Sequence, residues 1–245
     1  MSLVLQCVTV AALVLLWGAL ETVSPSMWLP APALVADRFV KWSLNGVFGL
    51  NGAITIGETV IGLGLGTAGA LVVGLALGYY SWLRRAMYPL ALLCYSVPLA
   101  ALAPPFTAVL GLGLASKIAL TSITAFFLLF FSVLSGAAAI NGRLIAVLQI
   151  MGASDREILV KLFLPASKEW IITGLRTAAP FSLLTAITAE IWGSRMGLGF
   201  LVKSAVETTD IAGMYAVLIV LAIVGVTLNT VVGGLKRFGG DEHAA

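Results

Sequence analysis

Six apolar stretches, residues 3–20, 54–80, 87–112, 118–140, 171–191 and 211–235, divide the chain, with polar residues gathered in the connections between them. Each is near or above the roughly 18–20 residues that a helix needs to cross a bilayer. None alternates strictly over about 10 residues, as a barrel strand would. Backbone polar groups find no water in hydrocarbon, so the stretches are expected as helices. Residues 3–20 have no Lys or Arg ahead of them and no small-residue cleavage site at 21–25, and so read as a retained helix rather than a signal peptide. Composition agrees: 60% of the 245 residues are hydrophobic and 10% charged, against about 25% charged in a soluble domain. The expected class is an all-α membrane protein, one domain over 1–245 with about six transmembrane helices.

Charge sets the expected orientation. With the N-terminus inside, the inner connections hold nine basic residues (Arg84, Arg85, Arg143, Arg156, Lys161, Lys168, Arg176, Lys236, Arg237). The outer ones hold five (Arg38, Lys41, Lys117, Arg195, Lys203). Positive residues accumulate on the cytoplasmic side, so both termini are expected there. The net charge of +3 is too small and too scattered for a nucleic-acid footprint. Cys7 and Cys94 lie in apolar runs and read as packing residues, and His243 sits alone in the polar tail. So few Cys and His residues cannot assemble a metal site of that type.

Residues 21–51 are rich in Pro and Trp (Pro25, Trp28, Pro30, Pro32, Trp42) and are expected along the outer interface. The second stretch carries Gly62, Gly66, Ala70, Gly74 and Gly78 at a spacing of four. That is a ridge on which another helix can pack closely, within the subunit or between copies. Pro98, Pro104 and Pro105 in the third stretch and Pro180 in the fifth are expected to kink their helices.

Two acids, Glu58 and Glu190, fall inside apolar stretches, where a charge normally faces a partner or a watery path. Ser182, Thr185 and Thr188 lie roughly on one face of the helix that holds Glu190. They line either a pathway or an interhelical contact. Arg195 is the expected partner of Glu190, and Arg176 is expected at the headgroups or on a helix C-terminus.

Residues 141–165, NGRLIAVLQIMGASDREILVKLFLP, are charged yet patterned. Ser154 and Glu157 have the spacing of a capping box. Asp155 and Glu157 fall in the first turn and Lys161 near the last, as the helix dipole favours. Ile158, Leu159, Leu162 and Phe163 form an apolar stripe. Pro165 is expected to stop the helix, and Gly152 to permit a sharp turn or a close approach. The stripe covers either the bundle's own underside, the lipid interface or a groove on a partner.

This segment resembles the cytoplasmic loop of ABC importer permeases of the binding-protein-dependent family, whose pattern is E-A-A, three residues, G, nine residues, I-x-L-P. The glycine is Gly152, nine residues from Ala153 to Lys161 follow, and Leu162, Phe163, Leu164 and Pro165 occupy the last four positions. The E-A-A positions hold Ala146, Val147 and Leu148, so the acid is missing. Thr173-Gly174-Leu175-Arg176, Ala189-Glu190-Ile191-Trp192-Gly193, Gly197-Leu198-Gly199-Phe200-Leu201 and Arg84-Arg85 with Tyr88-Pro89-Leu90 are similar to further family segments. The set looks like the branch handling nitrate, sulfonates and taurine, where a basic residue often stands at the position of Glu58.

The resemblance implies a type I importer permease, non-catalytic, with a cytoplasmic coupling helix within 141–165. The residues expected to couple are Gly152, Ala153, Ser154, Asp155, Glu157, Ile158, Leu159, Leu162, Leu164 and Pro165. The implied partners are two ATPase subunits, which would bind ATP and Mg, a second permease copy, a substrate-binding protein and the bilayer of a bacterial inner membrane. No cofactor is implied for this chain, which has no G-x-x-x-x-G-K-[ST] phosphate loop. The cargo would be a small polar or anionic solute, or alternatively a vitamin precursor or aromatic acid. A secondary transporter would show matched internal halves with broken helices, and no such repeat stands out.

Overall fold

A computed structural model describes residues 2–23 and 28–234. The expectations for Pro25, Lys236, Arg237 and His243, and for the side chain of Cys7, lie outside the described residues. The elements are α1 (Ser2–Val23), α2 (Pro32–Leu44), α3 (Val47–Tyr79), α4 (Ser81–Ser96), a 3₁₀ turn (Leu99–Leu102), α5 (Ala103–Leu110), α6 (Leu114–Ala138), α7 (Gly142–Ile150), α8 (Asp155–Ile158), a π turn (Leu159–Phe163), α9 (Leu164–Ala166), α10 (Lys168–Gly193), α11 (Leu198–Glu207) and α12 (Ile211–Gly234).

Four of these, α3, α6, α10 and α12, are long and apolar enough to cross a membrane. The third expected span is not one straight helix. Its halves, Ser81–Ser96 and Leu99–Leu110, meet at 75°. Pro98 has no N–H, and the Val97 N–H turns back to the Cys94 carbonyl (3.4 Å), so the helical ladder ends there. Pro89 and Pro180, in contrast, sit inside unbroken helices. Cys94 is an exposed free thiol rather than a packing residue.

The centre is α3 against α6, with α10 packed on α6 and also touching α3. The small-residue ridge is the reason the first pair can close. A Cβ at Gly62 would stand 2.6 Å from Thr121 Cβ, one at Gly74 would stand 2.9 Å from Val133 Cγ1, and Gly78 abuts Ala137. The ridge is therefore an internal seam. Gly136 against Trp170 and Gly174 against Leu129 and Ser132 bring α10 in by the same means. Ala70, Leu77, Leu129, Phe130, Val133 and Leu134 are buried along the α3–α6 seam.

The helices define two ends. At one lie the C-termini of α3 and α6, the α7–α9 segment and the start of α10. At the other lie α2, α11 and the starts of α3, α6 and α12. There Arg38 pairs with Asp210 at 3.1 Å, and Val35, Phe48 and Leu198 share a core with Ala216 and Val217.

Candidate functional site

The exposed segment between α6 and α10 is a helix hairpin built on one glycine. Asn141 caps α7 by accepting from the Arg143 amide. At the far end the Gly152 N–H reaches the Gln149 carbonyl and the Ala153 N–H the Leu148 carbonyl, both at 3.0 Å. This is the Schellman arrangement, which needs a left-handed residue after the helix. Gly152 supplies it with φ +83°. Leu148 and Ala153 meet in the same apolar cluster, the hydrophobic contact that accompanies the motif.

The capping box then starts α8. The Ser154 N–H donates to Glu157 Oε2 (3.1 Å) and Ser154 Oγ accepts from the Glu157 amide (3.4 Å). Lys161 Nζ donates to Glu157 Oε1 at 2.9 Å. These donors hold the Glu157 carboxyl down at about 2, with Lys161 the largest cause. A carboxyl depressed on folding contributes stability above its ordinary value of 4.5 and loses it as pH falls through about 2. Amide exchange across α8 is therefore expected to show constant protection from pH 8 to 5, and protection that weakens steadily below about 4, as acid removes the folded-state advantage. Uniform protection down to pH 2 would remove the carboxylate from the cap.

Sequence reasoning missed the anchor of this hairpin. The Tyr79 hydroxyl donates to Asp155 Oδ1 (2.7 Å) and the Tyr80 hydroxyl to Asp155 Oδ2 (2.8 Å), while Gln149 Nε2 donates to the Tyr79 oxygen (3.2 Å). Both phenols hold the Asp155 carboxyl below its usual range, Tyr79 first. The first turn of α8 is thereby fastened to the end of α3. Two adjacent tyrosines at the end of an apolar stretch were the available signal.

One of the alternatives for the stripe is met, and the expectation for Pro165 is corrected. The stripe faces the bundle: Ile158 and Phe163 are fully buried against Ala137, with Leu159 and Leu162 beside them. They cannot also fill a partner's groove. Pro165 does not stop the helix. It opens α9, which runs to Ala166, and the π turn over Leu159–Phe163 is the local widening next to the missing N–H. Leu164 remains exposed. The outward face belongs to α7 and the turn, where Ile150 is 87% and Met151 76% exposed, with Leu144 and Val147 also open.

Glu190 and Lys117 lie toward the opposite end and are used internally. Glu190 is fully buried. Its Oε1 accepts from Thr55 (2.7 Å) and its Oε2 from the Gly199 N–H (2.6 Å). Asn51 Oδ1 accepts from the Gly197 N–H (2.7 Å) and Thr55 Oγ1 from the Leu198 N–H (2.9 Å). Three residues from α3 and α10 thus satisfy the unpaired N–H groups that open α11, and the carboxylate sits where the helix dipole favours it. Gly197 at φ +108° and Gly199 leave no room for a side chain beside Glu190. Glu190 therefore does not pair with Arg195.

Lys117, counted from sequence as a loop base, is buried at the start of α6. Its ammonium donates to the carbonyls of Gly113 (2.9 Å), Gly193 (2.5 Å) and Leu112, closing the C-terminus of α10. Glu58 is also buried and lies within electrostatic reach of Glu190 and Lys117. Ser182 and Thr185 are buried, with Thr185 donating to Thr124 Oγ1 (3.2 Å) across to α6. Thr188 donates to the Leu184 carbonyl of its own helix. Of the three, Thr185 alone makes a contact across helices. Arg176 Nη2 donates to the Gly233 carbonyl (2.9 Å) at the end of α12, a helix C-terminus as expected.

The family model described as the binding-protein-dependent transport system inner membrane component matches residues 61–238. The chain belongs to this family of multi-pass ABC importer permeases. It is 28% identical over 198 residues to the formylaminopyrimidine transport permease protein of Halalkalibacterium halodurans, covering 81% of this chain and 79% of that one. It is 26% identical over 230 residues to the putative aliphatic sulfonates transport permease protein of Bacillus subtilis, covering 93% and 83%. Among solved structures, a chain of the MetNI methionine ABC transporter in an inward-facing conformation superposes with a TM-score of 0.64 at 18% identity. The match covers 81% of this chain and 97% of that chain, and it supports the all-α type I fold. These relatives place the chain in the branch that includes the sulfonate and taurine permeases.

Proposed function

We propose that this chain forms the solute pathway of an importer in a bacterial inner membrane, working as two copies with two ATPase subunits and a substrate-binding protein on the outer side. The α7–α8 hairpin is the inner-face coupling element, and both termini are cytoplasmic. One observation carries this reading: a rigidly capped hairpin, tied by Asp155 to Tyr79 and Tyr80, presents exposed Ile150, Met151 and Val147 around Gly152 at the basic end of the bundle. An apolar patch on a polar rim marks a partner surface. ATP and Mg are bound by the ATPase. Closing of the ATPase pair would pull the two hairpins together and open the bundle outward, where the binding protein delivers the solute.

Gly152→Arg tests the docking role. An L residue at this φ costs about 1–2 kcal/mol, and the new cation stands on the docking face with nothing within 4 Å of its Cβ. The variant is expected to purify with the spans intact and with less than about a tenth of the ATPase retained, a loss of at least about 1.4 kcal/mol in binding. A full complement of ATPase on the variant would remove the docking role. The solute is a small polar or anionic compound of the kind carried by this branch.

A further inference from the structure

The break in the third expected span lies at mid-depth. Around Val97, Pro98, Leu99 and Ala100 it opens a hollow of about 290 Å³ against Thr124 and Leu128 of α6 and Phe181, Leu184 and Thr185 of α10, with Tyr95 on its rim. Thr124 and Leu128 are near the middle of Leu114–Ala138, and Phe181 is near the middle of Lys168–Gly193. Val97, Pro98 and Ala100 are exposed, and so are Phe181 (50%) and Leu184 (57%).

Lipid cannot cover this face. The carbonyls of α4's last turn lose their helical donors where Pro98 lacks an N–H and Val97 turns back to Cys94. Irregular backbone at membrane depth persists only where protein buries it or water reaches it. The intramembrane charges that might have lined a path, Glu58, Glu190 and Lys117, are buried elsewhere in the helix packing. The lining of the hollow holds two aromatic rings, two threonines and the peptide groups of the broken segment, and no charged side chain.

We propose that this hollow is the solute-contacting stretch of the pathway, and that it takes an uncharged, ring-bearing organic solute rather than a bare small anion. The proposal rests on the importer reading above and adds the place of contact and the class of cargo. Phe181 and Tyr95 offer faces on which a planar ring stacks. The carbonyls and hydroxyls offer acceptors for ring N–H and O–H groups. Nothing in the lining offsets a negative charge, which would cross mid-bilayer at a penalty. Of the two relatives described, the formylaminopyrimidine permease is named for cargo of this chemistry and the aliphatic sulfonate permease is not.

The test uses the complete transporter in membrane vesicles, with Cys7 and Cys94 replaced by alanine. Single cysteines are placed at Ala100 and Phe181, and at Val226, an exposed apolar position on the unbroken helix α12. Two water-soluble methanethiosulfonate reagents are the probes, one bearing a sulfonate and one a trimethylammonium group, each rate normalised to that with a free thiol. A100C and F181C are expected to react at least about tenfold faster than V226C, with the two reagents within about threefold of each other. A path lined by one sign of charge concentrates counter-ions about tenfold or more, so a tenfold preference for the sulfonate reagent overturns the cargo class. Rates at A100C and F181C no faster than at V226C overturn the hollow as a pathway. Retention of the ATPase is measured on the same preparations, so failure of the importer reading is seen separately.

Discussion

Replacing Gly66 with leucine is expected to leave almost no monodisperse protein in detergent. A Cβ there would stand 2.6 Å from Ala125 Cβ and 2.8 Å from the Phe126 amide nitrogen, and closer still to the Ser122 carbonyl. Two of the three obstacles are backbone, which no rotamer change relieves. The helices must separate, and separation undoes the packing of Ala70, Leu129, Phe130 and Val133 along the same seam. Overpacking commonly costs about 1–3 kcal/mol, and this site exceeds that range because the neighbours cannot move aside. Gly64→Leu is the control, since its Cβ would meet nothing within 4 Å. Size-exclusion profiles of the two variants should differ sharply. Equal profiles would show that α3 and α6 do not close on the ridge.

Glu190→Ala is the second large effect. It strands the Gly199 N–H and the Thr55 hydroxyl in a buried setting. An unsatisfied buried polar group costs about 1–3 kcal/mol, so the loss over the two is about 2–6 kcal/mol. The variant should unfold well below the parent in a detergent melt. Glu190→Gln keeps an acceptor for one partner and should recover about half the loss. A melt of Glu190→Ala matching that of the parent would mean that α11 does not depend on this cap.

The spans and the hairpin were legible because each follows from a local rule. Apolar length gave α3, α6, α10 and α12. The serine–glutamate spacing gave the start of α8, and the four-residue spacing of small residues gave the α3 ridge. What sequence could not supply was pairing across distance. Asp155 reads as a dipole-compensating acid until Tyr79 and Tyr80, some 75 positions earlier, arrive beside it. Glu190 reads as a partner for nearby Arg195 until Thr55, 135 positions away, claims its oxygen. Lys117 looks like a loop base because nothing local announces the carbonyl of Gly193. The break at Pro98 follows the expectation from sequence. Pro180 lies inside a continuous helix and Pro98 ends one, and the residue type alone does not tell the two apart.

The fastening of Asp155 to Tyr79 and Tyr80 also decides where force travels. The hairpin is continuous in sequence with α6 and α10, yet its first turn is clamped to α3, and Ile158 and Phe163 wedge beneath the same pair. Any load placed on the turn at Gly152 is borne first by the α3–α6 strut, whose glycine contacts leave no slack for sliding. Backbone meets backbone along that strut, and the 75° bend at Pro98 lies outside it.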